Sequence, residues 1–114
     1  MPEDPPASER RASARARTLL RGRICHGPHF VMSIPCTVRN LTPGGALLQL
    51  PDQQTIPLAF ALLNVSDGVA YDATVVWRQD RLAGVTLGER HDLRQPASGD
   101  WKSLRAIWLA LASG

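Results

Sequence analysis

Val69-Ala70-Tyr71-Asp72-Ala73-Thr74-Val75-Val76-Trp77, then Arg78-Gln79-Asp80-Arg81, then Leu82-Ala83-Gly84-Val85-Thr86-Leu87 read as two strands joined by a polar hairpin turn. In the first of them Val69, Tyr71, Ala73, Val75 and Trp77 recur at every second position, the period that lays one face of a strand on a core. The sequence therefore predicts that these five side chains share one face.

Working outward, the same grammar of short apolar runs and polar turns repeats toward the N-terminus. Leu58 to Leu63 is a strand, joined to the next by the loop Asn64 to Gly68. Ala46 to Leu50 is another, stopped by Pro51 and Asp52, and it is entered through Thr42-Pro43-Gly44-Gly45, where two glycines are expected to supply backbone angles that other residues avoid. Val31 or Met32 to Arg39 and Thr18 to Ile24 complete the set, with Cys25-His26-Gly27-Pro28-His29 as the loop between them. Six strands with such turns predict a small six-stranded antiparallel β-barrel.

After a loop expected from about Gly88 to Ser98 the period changes. Trp101, Leu104, Trp108 and Leu111 recur at helical spacing, with Ser98 or Asp100 placed to cap the start and Gly114 after the end. The expected class is all-β with one C-terminal α-helix. Residues 1–8 form a Pro-rich tail read as disordered, 9–95 the barrel with a basic N-terminal arm, and 96–114 a helix packing on the barrel. A small barrel needs a lid for its apolar opening, so the helix is expected over the mouth.

The chain has 114 residues, enough for one domain with a core that needs no disulfide or metal. Its net charge of +3 conceals an asymmetry: Arg10, Arg11, Arg15, Arg17, Arg21 and Arg23 fall in one segment that contains no acid. Twelve of the thirteen cationic residues are arginines, whose planar forks grip phosphate bidentately and stack on flat rings. The first 23 residues hold no aromatic side chain on which single-stranded bases could stack, so specific nucleic-acid binding is not expected. No secretory signal is present, which points to the cytoplasm, and the longest apolar run, Ala106 to Ala112, is too short to span a bilayer.

Two motifs carry the functional reading. Arg11 and Arg15, with Arg10 beside them, form an R-x-x-x-R pair on a polar arm, and Asn40-Leu41-Thr42-Pro43-Gly44-Gly45 forms an N-x-[ST]-x-x-G turn opening an apolar strand. Arginines spaced this way on a slack segment can wrap opposite sides of one anion. Asn40 offers an amide donor and acceptor, Thr42 a hydroxyl, and the glycines a backbone that a ligand can approach. A second R-x-x-x-R, Arg17 to Arg21, overlaps the first strand and is set aside in favour of the earlier pair.

In combination these segments resemble the PilZ domain, the bacterial receptor for cyclic diguanylate (c-di-GMP). Glu9-Arg10-Arg11 is similar to the opening of that domain, Arg11 to Arg15 to its R-x-x-x-R, and Asn40 to Gly45 to its [DN]-x-[ST]-x-x-G. Val75-Val76-Trp77-Arg78 followed by Gly84-Val85-Thr86-Leu87 looks like its closing strand pair. The resemblance covers roughly Glu9 to Leu87. It implies a barrel with a C-terminal helix, no catalysis and no cofactor, and c-di-GMP held by Arg10, Arg11 and Arg15 on one side and Asn40, Thr42 and Gly45 on the other. Ligand would order the arm and so present a changed surface to an unidentified downstream protein. The alternative is a PilZ-like adaptor that binds no nucleotide and acts as a protein-interaction module, for which Trp101 and Trp108 would have to be exposed.

Other chemistry is weaker. Cys25, His26, His29 and Cys36 do not have a structural-zinc spacing, and the neighbours Cys25 and His26 would point to opposite faces of an extended segment. Both cysteines are read as reduced and packed. No spacing sets a base beside a nucleophile, so no enzyme is expected.

Overall fold

The computed structural model describes residues 17–95 and 99–113. Six antiparallel strands form a closed barrel in the order β1-β2-β3-β6-β5-β4. They are β1 (Arg17–His26), β2 (Met32–Thr42), β3 (Gly45–Gln49), β4 (Ala59–Asn64), β5 (Val69–Gln79) and β6 (Leu82–Asp92), followed by helix α1 (Asp100–Ser113). Both the six-stranded barrel and the single C-terminal helix agree with the sequence reading. Closure is made by β1 against β4, with Gly22 to Cys25 opposite Asn64 to Ala61.

Side chains separate into two cores by strand parity. Ile24, Val38, Leu48, Phe60, Leu62, Ala73, Ala83 and Val85 point inward and fill the barrel. Cys25, Ala61, Leu63 and Ala70 point the other way and join Val65, Leu93 and Leu104 in a second core, against which Trp101, Ile107, Trp108 and Leu111 of α1 pack. The helix therefore covers the outer face of β1, β4 and β5. The expectation that it would cap the mouth is corrected: the residues it buries have the opposite parity to those inside. β4 is consequently apolar at every position from Ala59 to Leu63, as a strand buried on both faces must be.

Trp108 docks the helix. Its Nε1 donates to the Val65 carbonyl at 3.0 Å. Its ring lies flat on Gly68, where a Cβ would come within 2.7 Å of it, and Gly68 itself turns at φ +68°. At the other end Trp101 stacks on His91, with centroids 3.4 Å apart, and tilts against Phe30 at 5.9 Å. Both tryptophans are half-buried at home, as the sequence favoured.

Four further expectations are revised. The span from Gly88 is not a loop, because β6 continues to Asp92 and pairs with β5 as far as Val69. Cys25 and His26 lie in β1, and the connection that follows is a 3-10 turn at Pro28–Phe30. Among the described glycines, positive φ occurs at Gly27, Gly68 and Gly99, so the β2–β3 turn does not draw on left-handed angles at Gly44 or Gly45. Trp77 does not share a face with Val75, for a reason that belongs to the site below. Ser98 and Gly114 lie outside the described residues.

Cys25 and Cys36 are both buried free thiols, one in each core. They face opposite sides of the sheet and cannot share a metal ion or a disulfide. Burial pushes Cys25 up to about 11 and Cys36 up to about 12. Among the described residues no helix is long and apolar enough to cross a membrane.

Candidate functional site

The β2–β3 hairpin is built by its own motif. The Thr42 hydroxyl accepts from the Gly45 amide and donates to the Gly45 carbonyl, both at 3.2 Å, so the threonine clasps the turn across three residues. Gly45 faces the backbone of β6, and a Cβ there would stand 2.9 Å from the Val85 carbonyl oxygen. A glycine is thus demanded by strand packing at Gly45, whereas Gly44 has open space around its Cα. The Leu87 amide donates to the Gly44 carbonyl at 3.0 Å, fixing the turn to the neighbouring strand.

Asn40 owes its position to a bulge. Val38 pairs with Leu48 and Asn40 with Leu47, so Arg39 is an extra residue in β2. Strand parity would otherwise send Asn40 inward with Val38. The bulge turns it out, and Asn40 is exposed while Leu41 joins the barrel core. Arg39 reaches sideways to Gln49 Oε1 at 3.2 Å.

A second bulge does the same for Trp77. Val75 pairs with Val85 and Trp77 with Gly84, leaving Val76 as the extra residue in β5. The indole is 45% exposed and lies across Gly84, where a Cβ would meet Trp77 Cδ1 at 2.7 Å. Gly84 in turn pairs with Leu47. One outward row therefore runs Asn40, Leu47, Gly84 under Trp77, ending in a flat aromatic face.

At its other end this row meets the start of β1. The backbone of Arg17 stands directly opposite Asn40, again across an irregularity in register between Arg17 and Leu20. Arg10, Arg11 and Arg15 lie outside the described residues. Of the six residues named from sequence, the structure places Asn40, Thr42 and Gly45 on one hairpin, with Thr42 and Gly45 in direct contact. Arg21 is exposed in the adjacent row, its amide donating to Ser66 Oγ at 3.4 Å.

Sequence reasoning missed the outward placement of Trp77. The available signal was the pair Val75-Val76, which breaks the alternation one residue before the tryptophan, with a glycine across the hairpin.

The site is an open shelf. Two surface grooves, of about 470 and about 390 Å³, lie elsewhere: one between Ile56, Leu58, Val75 and Arg78, the other between Leu19, Pro35, Thr37 and Leu50. Neither is lined by Asn40, Thr42 or Gly45.

Comparison with known proteins adds no relative: no family model, no curated protein and no solved structure matches the chain.

Proposed function

We propose that this chain is a PilZ-type receptor that binds c-di-GMP without chemistry and signals by ordering its arginine arm. The observation that carries the reading is the pairing of Arg17 with Asn40. Arg15 is two residues before Arg17, which is at most about 7 Å of chain, so that length of chain lets its guanidinium reach the Asn40 to Gly45 hairpin. A cyclic dinucleotide offers two phosphodiester charges and two guanine edges. Arginine forks complement the first, and the Asn40 amide and the Trp77 face complement the second.

The surface fits a receptor whose two walls come from separate segments. One wall is the hairpin, clasped by Thr42 and packed on β6; in this proposal the other is the polar arm, closing on the bound anion. A downstream protein would read the closed form. Arg17 and Arg21 remain the weaker alternative pair, since Arg21 belongs to the barrel wall in a different row from Asn40.

Calorimetric titration with c-di-GMP tests the reading. Arg15→Ala is expected to weaken binding tenfold or more, because a hydrogen bond to a charged group contributes about 1.5–3 kcal/mol. Arg21→Ala should change it by less than about threefold. No heat with the wild-type chain removes the receptor reading in favour of the nucleotide-independent adaptor, and the reverse ranking of the two arginines transfers the site to the second pair.

A further inference from the structure

A third bulge, on the opposite strand of the same hairpin, assembles a cluster outside the shelf. Tyr71 pairs with Arg90 and Ala73 with Leu87, so Asp72 alone stands across from both Gly88 and Glu89. Leu87 belongs to the barrel core, and simple alternation would carry Glu89 inward with it. The extra residue shifts the phase, and Glu89 and His91 then share the outer face with Asp72. The potential ligand atoms of these three side chains all lie within 4.8 Å of one another.

We propose that Asp72, Glu89 and His91 bind a divalent cation of the zinc class and so cross-link β5 to β6 beside the His91 stack on α1. The proposal is independent of nucleotide binding. Imidazole with two carboxylates is a nitrogen and oxygen donor set suited to zinc, cobalt, nickel or manganese, and poorly suited to the all-oxygen cages of calcium. Three protein ligands leave one position for water, a common zinc arrangement.

One observation besides the clustering points to a ligand, and a second shows that the ring is held in place. His91 Nε2 is buried and has no hydrogen-bond partner, a state that buried polar nitrogens rarely occupy and that a metal bond would relieve. The ring is also held in place by its stack on Trp101, interplanar angle 22°, so the nitrogen is presented without further ordering. Its distance to Glu89 Oε1 is 3.7 Å. Tetrahedral zinc with bonds of about 2.0–2.1 Å sets its ligand atoms about 3.4 Å apart, so that pair is almost at coordination spacing. Asp72 and Glu89 are both exposed and can close the remainder by side-chain rotation.

The test is calorimetric titration of the full chain, stripped with EDTA, with zinc chloride, read beside thermal unfolding with and without the ion. One equivalent is expected to bind and to raise Tm. Glu89→Gln and Asp72→Asn should each weaken binding at least tenfold, while His91→Phe keeps an aromatic ring on Trp101 and should abolish it. His26→Gln should leave it unchanged. Absence of saturable uptake overturns the proposal, as does uptake that Glu89→Gln leaves within twofold; because Glu89 is an exposed residue, that variant decides even if His91→Phe fails to fold.

Discussion

Asn40 on β2 and Trp77 on β5 stand on the same outward face of the barrel because each follows a bulge, at Arg39 and at Val76. Were Arg39 and Val76 to take regular places in the ladder, the side chain after each would fall in the interior phase. Both features of the shelf that could meet a planar, polar ligand are thus products of irregular pairing.

Asn40→Ala separates binding from folding. The residue is exposed, so stability should change by less than about 0.5 kcal/mol in urea unfolding. Affinity for c-di-GMP should fall about tenfold, consistent with the loss of hydrogen bonds contributing about 1–2 kcal/mol. A large drop in Tm would mean that Asn40 serves the hairpin instead.

Gly84→Val should displace the Trp77 indole. A β-branched side chain cannot coexist with a ring resting on Gly84, and such overpacking costs about 1–3 kcal/mol. The tryptophan emission should shift to longer wavelength as the ring moves into water. Unchanged emission and stability would show that the ring does not rest there.

Gly68→Ala attacks the helix from below. The substitution adds a methyl group under Trp108 and requires a non-glycine residue at φ +68°, two penalties that fall on one contact. Denaturant unfolding should show a loss of about 2 kcal/mol or more. Trp108→Phe, which gives up the bond to the Val65 carbonyl, should cost less, about 1 kcal/mol.

The buried thiols predict alkaline sensitivity. Their folded values are raised above the ordinary 9.0, to about 11 for Cys25 and about 12 for Cys36, mainly by burial. The unfolded chain therefore releases these protons first, and stability present below about pH 9 is lost as pH rises toward 11 and 12. Urea midpoints measured from pH 8 to 10.5 should fall, and Cys25→Ala with Cys36→Ala should flatten that fall. An equal slope in the double variant would assign the effect to other groups.

Much of the fold was legible because the barrel strands obey a simple alternation. Each departure marks a place where alternation was the wrong guide. The polar run Gly88-Glu89-Arg90-His91-Asp92 reads as loop, yet it pairs with β5, since a strand lying partly outside the core needs no apolar period. The helix and its apolar face were found from its period, while the barrel surface that it covers was not. The uninterrupted apolar run of β4 held that information, because only a strand covered on both sides needs it. At the hairpin, Thr42 and Gly45 were read as ligand contacts; in the fold they first hold the turn and the strand crossing together.

Closure of the sheet through β1 and β4 has a further effect on how this protein can be recognised. Over Gly22 to Cys25 and Ala61 to Asn64 the two strands satisfy each other's main chain, so along that seam no unpaired row is left onto which another polypeptide could add itself. Recognition there proceeds through side chains, and selectivity passes to the shape and charge that this part of the exterior presents.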